Sequence, residues 1–408
     1  MTWHENLSKL LGVCSLGLTL LFASATIQAL TVTGLYSEQV AVANESDAER
    51  SRAFKEALQA VILRVTGEPR WLDHPTITAA VENAQSYVEA IGYFSEFVAV
   101  PAEAAALAAQ TTGATGTIET QDAEVEPTVA GPAPDDNQPE VFVPLSPTTR
   151  EQRYIDVDFS SALIDELLTS ASIPIWDSNR PSVLVWMALQ DEAGNRSLMT
   201  ADINNDIIEL IKEFADRRGL PLLFPVLDFE DRRSLNEDLV WTLNEEAIRN
   251  ASNRYGADSI LTGRLHFTAS GELVGLWQFL FQGEAVVFDG FSTDLREYLH
   301  GPLARVTSQL ASYFAIVPDS ATKEMVQLRI DGVKSLQEYS SLLSYVSGLG
   351  LVESVRAAQL DGERLELRLG LVGDAQQLFE LIALDRDLLP IEGDTSDGSD
   401  VLHYRWTR

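Results

Sequence analysis

The residues best placed to do chemistry are three carboxylates in one short run, Asp228, Glu230 and Asp231, followed by Arg232 and Arg233. They come just after an apolar stretch, residues 222–227, that reads as a strand, and open α/β sheets commonly hold their ligands at strand ends. Carboxylates at that spacing can hold a hard cation or work as acid and base. A solvated turn that neutralises itself reads equally well from the same residues. Asp156 and Asp158 share one face of a strand, which solvent exposure explains. A second group is aromatic. Trp176 and Trp186 flank Arg180-Pro181, close enough for a guanidinium to stack on an indole, and this predicts either an interaction surface or a joint between modules.

The histidines give less. His4 belongs to the N-terminal segment, while His74, His266, His300 and His403 are far apart and show no i, i+4 pair. Neither a zincin helix nor a histidine-based triad is legible. There is no G-x-S-x-G elbow and no Walker A loop, and Gly348-Leu349-Gly350 falls where a helix end needs a C-cap. On these grounds no catalytic residue, metal ligand or cofactor is assigned. The alternative is a metal-assisted hydrolase using Asp228, Glu230 and Asp231.

The first thirty residues carry an uncharged run from Leu10 to Ala23. Its length suits a signal-peptide h-region and is short for a bilayer span. Small residues follow at Ala23-Ser24-Ala25 and Ile27-Gln28-Ala29, so cleavage is expected after Ala25 or Ala29. Lys9 is nearly offset by Glu5, which keeps an uncleaved inner-membrane anchor facing the periplasm as the alternative. Cys14, the only cysteine, lies inside the apolar run and not at its end, where a lipidated residue would stand. Cleavage would leave a chain without thiols, excluding disulfides, zinc–thiolate sites and cysteine nucleophiles. The net charge of −32 repels phosphate backbones and anionic headgroups over about 8 Å at physiological salt. Nucleic acid is therefore excluded as a partner, and a membrane enters only through an uncleaved N-terminus.

A chain of 408 residues with 45% hydrophobic content supports two or three cores. The expected fold is α+β or mixed α/β in three small modules. Residues 1–29 form the signal segment and residues 30–176 an N-terminal module. There, 30–43 read as a strand, Ser46 and Glu49 as a capping box, and Phe54, Leu58, Val61 and Val65 as one helical face. A second helix is expected over 76–89. Residues 101–149 hold eight acidic side chains and no Lys or Arg, a composition expected to stay disordered. The flanking strands 91–100 and 152–159 are expected to pair across it. Residues 177–318 form a central mixed module with a doubly covered strand at 182–189 and one helix over 238–255. Residues 319–408 follow the β-α-β-β-α-β order of a ferredoxin-like split βαβ unit, with Leu365, Leu367, Leu369 and Leu371 alternating and Asp374 capping its second helix.

Three motifs carry a resemblance: Arg64-Val65-Thr66-Gly67, then Ile173-Pro174-Ile175-Trp176 with Asn179-Arg180-Pro181 and Val185-Trp186, then Tyr255-Gly256-Ala257-Asp258 with Gly263-Arg264. On these the chain resembles uncharacterised proteobacterial envelope proteins, the domain-of-unknown-function family 2066. The resemblance implies a place in the cell envelope and no chemistry. The helix, YGAD, strand and GR element is also similar to periplasmic α/β domains of lipoproteins that activate peptidoglycan synthases or assemble secretion pores. That likeness implies binding modules. The expectation is a non-enzymatic periplasmic interaction or scaffold protein with envelope proteins as partners, serving cell-wall or outer-membrane assembly. A soluble-ligand carrier would instead need an apolar pocket of about 300 Å³ or more between modules.

Overall fold

A computed structural model describes residues 32–99, 149–191, 193–200, 206–268, 270, 272–317, 323–373, 375–385, 387–391 and 401–407. The N-terminal segment expected to be a signal, with Cys14, the acidic segment up to residue 148, Ile203 and Asp374 lie outside the described residues. The fold is mixed α and β, with three sheets and ten α-helices among the described residues.

The first module runs β1 (Ser37–Val42), α1 (Asp47–Thr66), α2 (Pro75–Glu82), β2 (Val88–Ala99), β3 (Thr149–Phe159) and α3 (Ser161–Ser170). Its sheet is antiparallel in the order β1-β3-β2. The strands flanking the acidic segment thus pair with each other. Helix α1 begins where Ser46 Oγ accepts the Glu49 amide, and it ends at Gly67, whose φ of +67° favours a residue without a side chain. The Glu49 carboxylate reaches back to the amide of Ala43, one turn further than a capping box requires, because Asn44 Oδ1 already takes the amide of Ser46. Phe54, Leu58, Val61 and Val65 pack with Val40, Ile155, Val157 and Ile164 in one core.

The central module comprises β4 (Val183–Gln190), β5 (Arg196–Leu198), α4 (Asp206–Arg218), β6 (Leu222–Leu223), α5 (Phe229–Ser234), α6 (Glu237–Trp241), α7 (Glu245–Ser252), β7 (Ser259–Phe267), β8 (Leu273–Phe281), β9 (Glu284–Ser292) and α8 (Leu295–Phe314). The strand order is β5-β4-β7-β8-β9, with β6 also on β4. Strand β4 is covered on both faces. Val183, Val185 and Met187 join the core that contains α4 and α8, while Leu184, Trp186 and Ala188 join Leu235, Val240 and Ile248 on the other side. The single helix expected over 238–255 is instead α6, α7 and a 3-10 turn. Leu243 takes a φ of +52°, and Asn244 Oδ1 accepts the Ala247 amide to start α7 afresh. The strand expected over 222–227 stops at Leu223, ahead of Pro225, which cannot donate to a ladder.

The last module comprises β10 (Lys323–Asp331), α9 (Leu336–Ser347), β11 (Val352–Asp361), β12 (Arg364–Val372), α10 (Ala375–Asp385), β13 (Leu388–Pro390) and β14 (Val401–Trp406). The order β11-β12-β10-β14-β13 keeps the split βαβ plan. It departs from that plan in its last strand: the edge strand β13 forms an extra hairpin with β14, so β14 runs parallel to β10 where the plain plan has an antiparallel strand. Leu365, Leu367, Leu369 and Leu371 are all buried beneath the helices, in a core continuous with that of the central module.

Candidate functional site

The segment from Ile173 to Pro181 is where the three modules meet. Ile175 exchanges both backbone hydrogen bonds with Ile316, just beyond α8, and the Trp176 amide donates to Val65 O at 2.8 Å. Asp177 Oδ2 accepts the Gly350 amide of the last module at 3.0 Å, and Asn179 Nδ2 donates to Leu381 O at 3.2 Å.

At the centre is Arg180, 2% exposed. Its Nε donates to Asp177 O at 2.8 Å, Nη1 to Arg218 O at 2.9 Å and Gly219 O at 3.0 Å, and Nη2 to Arg64 O and Trp176 O, both at 2.7 Å. A guanidinium has five N–H donors, and every one meets a backbone carbonyl. Its plane lies over the Trp176 ring, 4.2 Å from the centroid. Two more buried arginines complete the arrangement. Arg64 donates to Gly34 O and Ser37 O, with the Glu38 carboxylate as its ion pair, and its Nε points at Arg217 O. Arg218 Nη2 returns the connection to Gly67 O at 2.6 Å. The first and central modules thus clasp each other's helix C-termini, where carbonyls lack intrahelical donors. Burial pulls the Arg180 guanidinium down to about 9, with the Asp177 carboxylate opposing and Arg64 adding to the effect, so it stays charged at neutral pH. Burial likewise draws Arg218 down to about 10, against Glu68.

Trp186 is not part of this stack. It is fully buried on the opposite face of β4, where its Nε1 donates to Ser252 Oγ at 2.9 Å. Trp176 lies ahead of β4 and joins the core of Val183 and Val185, whereas alternation along β4 turns Trp186 into the core on the other face.

The carboxylates Asp228, Glu230 and Asp231 are brought together, but by a turn. Asp228 is the N-cap of α5, accepting the amides of Glu230 and Asp231 at 3.0 Å each, and its carboxylate is paired with both terminal nitrogens of Arg254. Asp231, 0% exposed, accepts from the Leu227 amide at 2.9 Å, the Tyr255 hydroxyl and Arg254. Glu230 points to solvent beside Arg254. Hydrogen bonds from Arg254 and the Asp231 amide hold the Asp228 carboxyl down at about 2. Burial, with the bond to Asp231, pushes the Tyr255 hydroxyl up to about 12. Asp228 is thus engaged in capping α5, and Asp231 in holding a strained turn at Leu227, whose φ is +53°. Among the described residues no group of three or more His, Cys, Asp or Glu is arranged to hold a metal ion.

One concavity adjoins the joint. A cleft of about 630 Å³ opens between the first and central modules, walled by Glu38, Arg64 and Asp156 on one side and by Lys212, Asp216 and Phe224 on the other. It exceeds the size expected of a carrier site, but its walls carry both signs of charge. Burial, with Asp158 nearby, raises the Asp156 carboxyl above the usual carboxylate range. The histidines stay apart: His300 packs edge-on to Phe214, His266 beside Trp241, and His403 on Asp331. Sequence reading missed Arg64 and Arg218 as partners of Arg180. Arg64 stood in a quoted motif, and Arg218 just before Gly219 marked a helix end.

Residues 29–177 match the model of a family described as a domain of unknown function (DUF8605). This corrects the resemblance to family 2066. Among the residues that carried it, Arg64, Gly67, Trp176 and Arg180 are joint and capping positions. No curated protein matches. A solved structure titled "Crystal structure of uncharacterized protein" is 10% identical, over 33% of this chain and 92% of its own, with a TM-score of 0.16.

Proposed function

We propose that this chain is a non-enzymatic interaction or scaffold protein of the bacterial periplasm, acting with envelope proteins in cell-wall or outer-membrane assembly. The observation that supports the reading most is the Arg180 joint. Its buried polar groups are directed at one another across module boundaries, so the outward sheets and edges keep fixed relative positions. Fixed spacing suits a protein that engages partners on more than one surface, whereas domain closure around a substrate calls for a hinge. The joint is thus matched to display. In-cell crosslinking of the tagged chain, with fractionation, intact-mass analysis and mapping of crosslinked residues, tests it. The expected result is a soluble species lacking 25 or 29 residues, joined reproducibly at mapped positions to the same envelope protein. An uncleaved, membrane-bound chain with no reproducible partner overturns it.

A second reading, carriage of a small ligand, draws on the cleft. Its facing charges, Asp156 opposite Lys212, suit an amphoteric molecule. Loss of a copurifying small molecule in a Lys212→Glu variant would favour it.

A further inference from the structure

Among the described residues strand β2 is an unprotected sheet edge: it pairs only with β3, leaving its other side without a strand. Apart from one bulge at its start, the register with β3 is unbroken from Ala90 to Ala99. Protein sheets usually blunt such edges with bulges, lysines, prolines or inward charges. Between Ala90 and Ala99 the only charged residue is Glu96, and there is no Lys or Pro. Instead Ile91, Tyr93 and Phe97 occupy alternate positions on one face, 45%, 39% and 76% exposed. That face is the apolar one: Val157 and Ile155, in register with Ile91 and Tyr93, are fully buried. The helices cover it over β3 and leave it open over β2. By contrast β11, the edge of the last sheet, has bulges at Val352/Ser354 and Ala357/Gln359 and carries Glu353, Arg356 and Asp361.

We propose that β2 is a docking edge for an extended strand of a partner protein, one that alternates apolar side chains with lysine or arginine. The proposal rests on the interaction reading above. Backbone hydrogen bonds along the edge would supply affinity, and the apolar row would take alternate side chains. Charge complementarity picks the occupant. Strands β2 and β3 carry Glu89, Glu96, Glu151, Asp156 and Asp158 against Arg150 and Arg153, on a chain of net charge −32. Those charges attract a cationic strand and oppose edge-to-edge pairing of two copies.

The test titrates the full chain with three labelled synthetic peptides, followed by fluorescence anisotropy. One alternates Val with Lys, one alternates Val with Glu, and the third is the lysine peptide with alternate amides N-methylated. The lysine peptide is expected to bind, to weaken as salt rises, and to lose at least about tenfold in affinity on the Tyr93→Lys, Phe97→Lys double variant. The other two peptides are expected to fail. Equal binding of the N-methylated peptide, which needs no change in the protein, overturns strand pairing. Equal binding of the glutamate peptide overturns the charge argument. Binding that persists unchanged in a folded double variant overturns the location. Crosslinks from β2 to a second copy overturn the occupant. Absence of peptide binding together with reproducible crosslinks elsewhere on the surface removes the β2 assignment and leaves the interaction reading standing.

Discussion

Arg180 and Arg254 each stand at the centre of a hydrogen-bond cluster, and the two clusters solve the same problem in opposite ways. Arg180 is buried and meets neutral carbonyls drawn from positions 64 to 219. Arg254 is half-exposed and meets carboxylates within one turn of the central module. Neutral acceptors do not titrate, and a buried site is little screened by salt. The joint should therefore hold from acid to neutral pH and across ionic strength, while the turn should respond to both. Long-range cohesion depends on dipoles, and local cohesion on charges.

The strongest test of that contrast is Arg180→Met. It leaves five carbonyls, four of them buried, without their donor, at about 1–3 kcal/mol for each buried one left unsatisfied. The sum approaches the whole stability of an ordinary domain, about 5–15 kcal/mol. Calorimetry should show a single unfolding transition splitting into separate ones as the modules lose their connection. Gly67→Ala probes the same joint by packing. A Cβ there would come within 2.4 Å of Ala311 Cβ and 2.7 Å of Trp176 Cε3, at a φ of +67°. Overpacking of that kind costs about 1–3 kcal/mol, to be read as a lower urea midpoint.

At the turn, Asp231→Ala should cost about 2 kcal/mol, because the Leu227 amide and Tyr255 hydroxyl lose a buried acceptor. Hydrogen exchange should place the loosening around residues 227–255 and leave the joint unchanged. The smallest effect belongs to Asp228→Asn. Its folded carboxyl titrates at about 2, below an unfolded value of about 3.9. A depressed carboxyl stabilises above the unfolded value, and that contribution disappears as pH falls from about 4 towards 2. The wild-type melting temperature should drop more steeply than the variant's in that window. A pH-dependence of the joint of similar size would dissolve the contrast.

What was legible in the sequence follows the same division. Local patterns reported themselves: the leucine alternation from Leu365 to Leu371, the helical face of Phe54 to Val65, and the pairing of strands around the acidic segment. Gly67 and Ser46 announced the ends of α1. The interruption at Leu243 did not, because an apolar periodicity continues through Asn244, and only the side-chain cap shows that a new helix begins. The acidic run was visible as residues and invisible as a role. Whether Asp228 binds a ligand or caps α5 depends on where its carboxylate points, and Arg254, which decides that, is 26 positions away. The joint was legible only in part, through Trp176 and Arg180-Pro181, and its acceptors were not. Backbone carbonyls are present at every position, so nothing in the sequence marks Arg64, Arg218 and Gly219 as the acceptors that Arg180 needs.

The antiparallel pairing of β2 with β3 has a consequence for how freely the chain can vary. About fifty residues separate Ala99 from Thr149, and bringing two segments of an unfolded chain together costs entropy that grows only as the logarithm of their separation. Relative to a four-residue hairpin the penalty is roughly 2 kcal/mol, and halving or doubling the present length changes it by only about 0.6 kcal/mol. Once that initial sum has been absorbed, insertions and deletions between these strands are almost neutral for folding. On this term the separation can therefore change in length while the paired strands on either side keep their register.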